Sequence, residues 1–120
     1  MKNNTCVRAG FTLVEIMIVV AIIGMLATIA IPNFVRARET AHQKACISNL
    51  RQLDGAVQLW ALEAKKNTDQ QVTYQDISGF LRNSVACPAG GTSFADSYAL
   101  GTVDERPTCL RRPDSHKLPQ

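Results

Sequence analysis

Enzymatic signatures are missing from this chain of 120 residues. It has no nucleophile elbow, no glycine-rich phosphate loop and no paired-carboxylate motif, so neither catalysis nor a cofactor is expected. Cys-x-x-Cys knuckles are absent too. His42 and Cys46 stand four apart, and with Cys87, Cys109 and His116 they can be drawn as a zinc site. Without the usual ligand spacing, that drawing gives way to a reading with no metal. Charge of one sign is also scarce: the net charge is +3, and setting aside Lys2 and Arg8 brings it near +1. Such a balance leaves no nucleic-acid footprint, and Arg106, Arg111, Arg112 and Lys117 read as a solvated basic tail.

One long stretch has almost no charge at all. Residues 11–31 number 21, and Glu15 is their only strongly polar member beside Thr12, Gly24 and Thr28. As a helix they reach roughly 31 Å, about the thickness of a bilayer's hydrocarbon core. A carboxylate inside lipid costs on the order of 2.5–3.5 kcal/mol at the midplane, so Glu15 needs a partner even near the end of the span. Lys2 and Arg8, with no acid beside them, place residues 1–10 in the cytoplasm and 33–120 across the membrane. An ordinary secretory signal has a shorter apolar core and a small-residue cleavage site, and no clear Ala-x-Ala follows here.

The residues Ala9-Gly10-Phe11-Thr12-Leu13-Val14-Glu15 resemble the class III signal of type IV pilins and type II secretion pseudopilins. The resemblance is close over residues 8–36. It implies cutting between Gly10 and Phe11 by a prepilin peptidase, followed by N-methylation of Phe11 by the same membrane enzyme. It also implies polymerisation with like subunits by an inner-membrane assembly platform. Glu15 falls on the family's glutamate, five residues into the mature chain. Gly24 and Pro32 match positions where filament helices lose regular hydrogen bonding. Residues 50–56, 60–63, 87–92 and 107–109 look like a short pilin-like subfamily often labelled as type II secretion proteins. The Asp-rich calcium loop of many major secretion pseudopilins is not evident, since Asp96, Asp104 and Glu105 are too scattered to argue one.

Physical chemistry gives Glu15 a role beside the analogy. A mature amino terminus is largely cationic at neutral pH, and N-methylation leaves it basic. In low dielectric that ammonium and the Glu15 carboxylate attract strongly, either within one helix at i, i+4 or between stacked subunits. Only the second arrangement sets axial register.

The pattern stays helical beyond Pro32. Cys46, Leu50, Leu53, Val57, Trp60 and Ala64 recur at steps of four and three, one apolar stripe on an amphipathic helix. The character changes at Asn67. Residues 73–81 predict a short helix, 87–91 a turn, and 92–94 and 98–103 short strands. The expected architecture is α+β, a long N-terminal helix on a small antiparallel sheet. Its segments are 1–10, a leader that is cleaved; 11–32, a transmembrane helix; 33–66, an amphipathic continuation; and 67–120, a small head with a hairpin and tail.

Cysteine placement fits an oxidising compartment. Cys6 leaves with the leader, while Cys87 and Cys109 bracket the expected hairpin. A disulfide between them closes a loop of about 23 residues, worth roughly 3 kcal/mol in the chain-entropy account. Cys46 reads as a small buried hydrophobe, although its pairing with either of the other two stays open. The function these readings favour is a structural subunit of a type IV pilus-like or type II secretion pseudopilus filament. The alternatives are a DNA-uptake pilin or a membrane-anchored binding module with its head outside the cytoplasm.

Overall fold

Thr12 and Glu15 start the main helix reciprocally. The Glu15 N–H donates to Thr12 Oγ1 at 3.2 Å, and the Glu15 carboxylate accepts from the Thr12 N–H at 2.8 Å. This capping box satisfies two of the donors that a helix start leaves open. The helix, α1, runs Leu13–Glu63 in the computed structural model, which describes residues 10–119. Apart from Gly10, the leader, with Lys2, Cys6 and Arg8, lies outside the described residues. The chain divides into two units, Met1–Arg36 and Ala37–Gln120.

In the first unit the apolar side chains point outward all round the helix. Phe11, Leu13, Met25 and Ile29 are each more than two-thirds exposed, and nothing in the most apolar stretch is buried. A helix apolar on every face requires an apolar surrounding, and this one is long and apolar enough to cross a membrane. Gly24 and Pro32 both lie within α1. Pro32 has no N–H to give the carbonyl four residues back, whereas the Gly24 carbonyl accepts the Thr28 hydroxyl at 2.8 Å. The backbone is helical through both positions.

The second unit carries the core. Cys46, Leu50, Leu53, Ala56, Val57 and Ala61 are the buried face of α1. The expected stripe is therefore right as far as Val57 and then shifts: Ala61 is buried, Trp60 is half-buried and Ala64 is exposed. The cause is the helix end, which comes at Glu63 and not at Lys66. Lys65 turns left-handed (φ 50°), and the Lys66 N–H reaches back to the Ala61 carbonyl at 2.9 Å. That is a Schellman-type closure made without glycine.

The head continues with α2 (Tyr74–Ile77), a 3-10 turn (Ser78–Phe80), α3 (Phe94–Ser97), β1 (Tyr98–Ala99) and β2 (Thr108–Cys109). β1 and β2 are antiparallel, with Tyr98 opposite Cys109 and Ala99 opposite Thr108. The fold is α+β. One strand expectation fails, because Thr92 and Ser93 lead into α3 and form no strand. Asp96 is the reason: its carboxylate accepts from the N–H groups of Thr92 and Ser93, each at 3.1 Å, and from the Thr92 hydroxyl at 2.7 Å. Backbone donors held that way start a helix. The segment after α1 is tied down by Val72 N–H to Gly101 O and Val103 N–H to Gln70 O, both 3.1 Å. Ile77, Tyr98, Cys87 and Cys109 close the core over Leu50 and Leu53.

Candidate functional site

Two places concentrate chemistry. The first is the start of α1. Gly10 and Phe11 are exposed and precede the helix, and a Cβ on Gly10 would meet nothing within 4 Å. Space in the folded chain is therefore not what the glycine provides. Glu15 is bound to Thr12 alone among the described hydrogen bonds, through both the backbone N–H and the hydroxyl, the latter at 3.0 Å. Its capping role comes from within the chain and leaves half of its acceptor capacity open.

The second place is in the head, where three thiols and an imidazole meet. Cys46 comes from α1, Cys87 from the turn after Val85, Cys109 from β2 and His116 from the segment that follows. One donor atom of each lies within 4.8 Å of every other, and all four residues are buried. Cys87 Sγ stands 3.7 Å from Cys109 Sγ and 3.7 Å from His116 Nδ1. The three cysteines are free thiols, so the structure brings the expected disulfide partners together without joining them. It also brings in Cys46 and His116, two further residues of the zinc drawing that the missing ligand spacing had argued against. His42, the fifth residue of that drawing, is not in the cluster.

Local folding explains each placement. Cys87 opens a tight turn in which the Gly91 N–H donates to the Cys87 carbonyl at 2.7 Å and Gly90 takes φ 101°. A Cβ on Gly91 would collide with Ser97 and with the Cys87 backbone, so the turn admits only glycine there. Cys109 is set by its pairing with Tyr98. His116 is set by a helical turn in which its N–H donates to the Arg112 carbonyl at 2.8 Å.

Neighbours lean on the sulfurs. The Tyr98 hydroxyl approaches Cys46 Sγ at 3.6 Å and accepts from Asn49 Nδ2 at 3.0 Å, while Asn49 also donates to the Ala86 carbonyl. Burial pushes the Cys46 thiol up to about 12. Burial also raises Cys87, against a hydrogen bond from the Ala89 backbone. At Cys109 burial acts upward, but backbone hydrogen bonds from Arg112 and Arg111, with the other two thiols, bring the net direction down. Burial lowers His116. Sequence reasoning missed Tyr98 and Asn49 because neither carries a motif. The capping spacing of Ser93 and Asp96 was a usable signal for α3.

The basic tail is engaged within the head. Arg111 pairs with Asp96 at 2.9 Å, Arg112 with Glu39 at 3.1 Å, and Arg106 donates to the Pro119 carbonyl at 2.6 Å. Asp96 collects this pairing on top of its capping bonds. Hydrogen bonds from Thr92, Ser97 and Ser93 hold its carboxyl well below the usual carboxylate range. A lowered native pKa stabilises the fold above the unfolded value, about 3.9, and that contribution is lost as pH falls through the native value. Thermal unfolding of the head measured from about pH 6 down to about pH 2 is expected to show a midpoint that starts to fall near the unfolded value and keeps falling below it. Asp96→Asn should lower the midpoint at the upper end of that range and flatten the acid slope. An unchanged slope in the variant would remove Asp96 from this role.

The first unit is thus an exposed apolar helix that opens on the Thr12–Glu15 capping box, just after Gly10 and Phe11. The chain carries the prokaryotic N-terminal methylation motif, whose family model matches residues 7–31. It is similar to the type II secretion system core protein G of Klebsiella pneumoniae, 41% identical over 68% of this chain and 56% of that protein. The core protein G of Escherichia coli (strain K12) is 39% identical over 76% of this chain and 61% of that protein. The type IV major pilin protein PilA of Myxococcus xanthus (strain DK1622) is 47% identical over 50% of this chain and 27% of PilA. The chain thus spans little more than half the length of the core protein G relatives. No solved structure matches it.

Proposed function

We propose that this chain is a structural subunit of a type IV pilus-like or type II secretion pseudopilus filament, and not an enzyme. Residues 1–10 form a cytoplasmic leader, 11–32 span the inner membrane, and α1 continues from there to Glu63 on an amphipathic face that carries the head outside the cytoplasm. A prepilin peptidase cuts between Gly10 and Phe11 and N-methylates Phe11, and an assembly platform then draws the helix from lipid into a filament core. The observation that carries this reading is the apolar helix of the first unit, which has no buried residue in its most apolar stretch. Such a surface is at home in lipid and equally at home against parallel copies of itself. The pilin and core protein G relatives and the methylation motif support the same reading.

In the filament the Glu15 carboxylate of an incoming subunit meets the Phe11 ammonium of its neighbour, which fixes axial register. Gly24 and Pro32 are where the helix yields on packing, since one has the weakest helix propensity after proline and the other removes a hydrogen bond. The test of processing is intact and peptide mass spectrometry on membranes from cells that also express a prepilin peptidase. The expected mature terminus is N-methylated Phe11. A terminus within residues 27–35 would identify an ordinary secretory signal and overturn the filament reading.

A further inference from the structure

We propose that Cys46, Cys87, Cys109 and His116 form a closed, tetrahedral binding site for one structural zinc ion that staples the head together. Zinc held by thiolate at about 2.3 Å and imidazole at about 2.0–2.1 Å places neighbouring ligand atoms about 3.6–3.8 Å apart in a tetrahedron. The Cys87–Cys109 and Cys87–His116 separations are both 3.7 Å, and the remaining pairs lie within 4.8 Å. Three thiolates and one imidazole are a soft donor set of the kind that selects zinc. Four protein ligands leave no open position, which is the mark of a structural and not a catalytic site.

His116 supplies an independent observation. It is 1% exposed, its Nδ1 faces a sulfur, and its Nε2 is buried with no hydrogen-bond partner among the described residues. With Nδ1 as the ligand atom the proton sits on Nε2, and the hydrogen-bonding contact that the ring makes among the described residues is to the thiol cluster. A disulfide accounts for the cluster less well, because it employs two sulfurs and leaves a third thiol and the imidazole against the bridge. Coordination employs all four donors. The surroundings act as an outer shell: the Tyr98 hydroxyl lies on Cys46, and backbone N–H groups lie on Cys87 and Cys109. Binding one Zn²⁺ displaces the three thiol protons to solvent and leaves the histidine neutral.

The donors come from four segments separated by 41, 22 and 7 residues in sequence. The ion therefore joins α1, the turn at Cys87, β2 and the tail in a head whose sheet is only two strands of two residues each. Small domains of this kind commonly depend on such a staple.

The test uses the full chain with Cys6→Ser, purified in detergent without reductant or chelator, and elemental analysis of the product. One zinc per chain is expected, with Cys46, Cys87 and Cys109 protected from alkylation until a chelator is added. Cobalt(II) added to the stripped chain should give the intense visible absorption of a tetrahedral thiolate site. Cys109→Ser should lose the metal. Because that variant can also fail to fold, His116→Cys decides the matter: it should keep one metal and shift the cobalt spectrum to that of a four-thiolate site. A Cys87–Cys109 disulfide in the purified chain, with no zinc, would overturn the proposal. So would equal alkylation rates with and without added zinc in both the wild-type chain and His116→Cys.

Discussion

Glu15→Gln is expected to insert in the membrane and to be cut after Gly10, yet to be missing from filaments. Insertion should improve if anything, because a carboxylate no longer enters lipid. The helix start should survive as well: glutamine serves in a capping box, and the bond that Glu15 accepts from Thr12 N–H needs an acceptor and not a charge. In the proposed filament, the substitution removes the counter-ion for the Phe11 ammonium of a neighbouring subunit. Leaving a buried charge unpaired costs about 3–5 kcal/mol, which corresponds to a loss of roughly a hundredfold or more in incorporation. Quantitative mass spectrometry of sheared filaments from cells expressing both forms measures the ratio directly. Equal incorporation would show that register is set elsewhere and that Glu15 serves an earlier step, such as presentation to the peptidase.

A large effect on stability is expected at Leu53. Its side chain is fully buried between α1 and the head, and it makes none of the hydrogen bonds around the thiol cluster. Leu53→Ala should cost about 2–5 kcal/mol through lost burial and the cavity left behind. A head this small has about that much stability in total, so the variant should be largely unfolded beyond α1 at 37 °C. Urea titration in detergent, followed by near-ultraviolet circular dichroism, should show the head's transition shifted to low denaturant or absent. The α1 signal in the far ultraviolet should persist, since residues 13–35 take their stability from the micelle. An unfolding free energy within about 0.5 kcal/mol of wild type would mean that the head is not organised around the buried face of α1.

What was legible in the sequence was local or periodic. The apolar span and the stripe through Val57 could be read because each residue's neighbours in sequence are its neighbours on the helix. The stripe failed at Ala64 because a left-handed Lys65 ends the helix, and lysine carries no sign of that conformation. Thr92 and Ser93 looked like strand because threonine and phenylalanine favour strands, and the Asp96 carboxylate then captured their backbone donors. The thiol–imidazole cluster was the least legible part. Its residues were all noticed, but their meeting depends on α1, the Cys87 turn and β2 being packed together, and no short spacing encodes that.

The central claim is that this helix is a polymerisation element and not a plain anchor. The most direct measurement is the recovery of the chain in filaments sheared from cells that also express a pilus or secretion assembly machine, with its terminus read by mass spectrometry. The account predicts the chain in the pelleted filament fraction, beginning at N-methylated Phe11. Recovery only as a detergent-extracted membrane monomer, with residues 1–10 still attached, would contradict it.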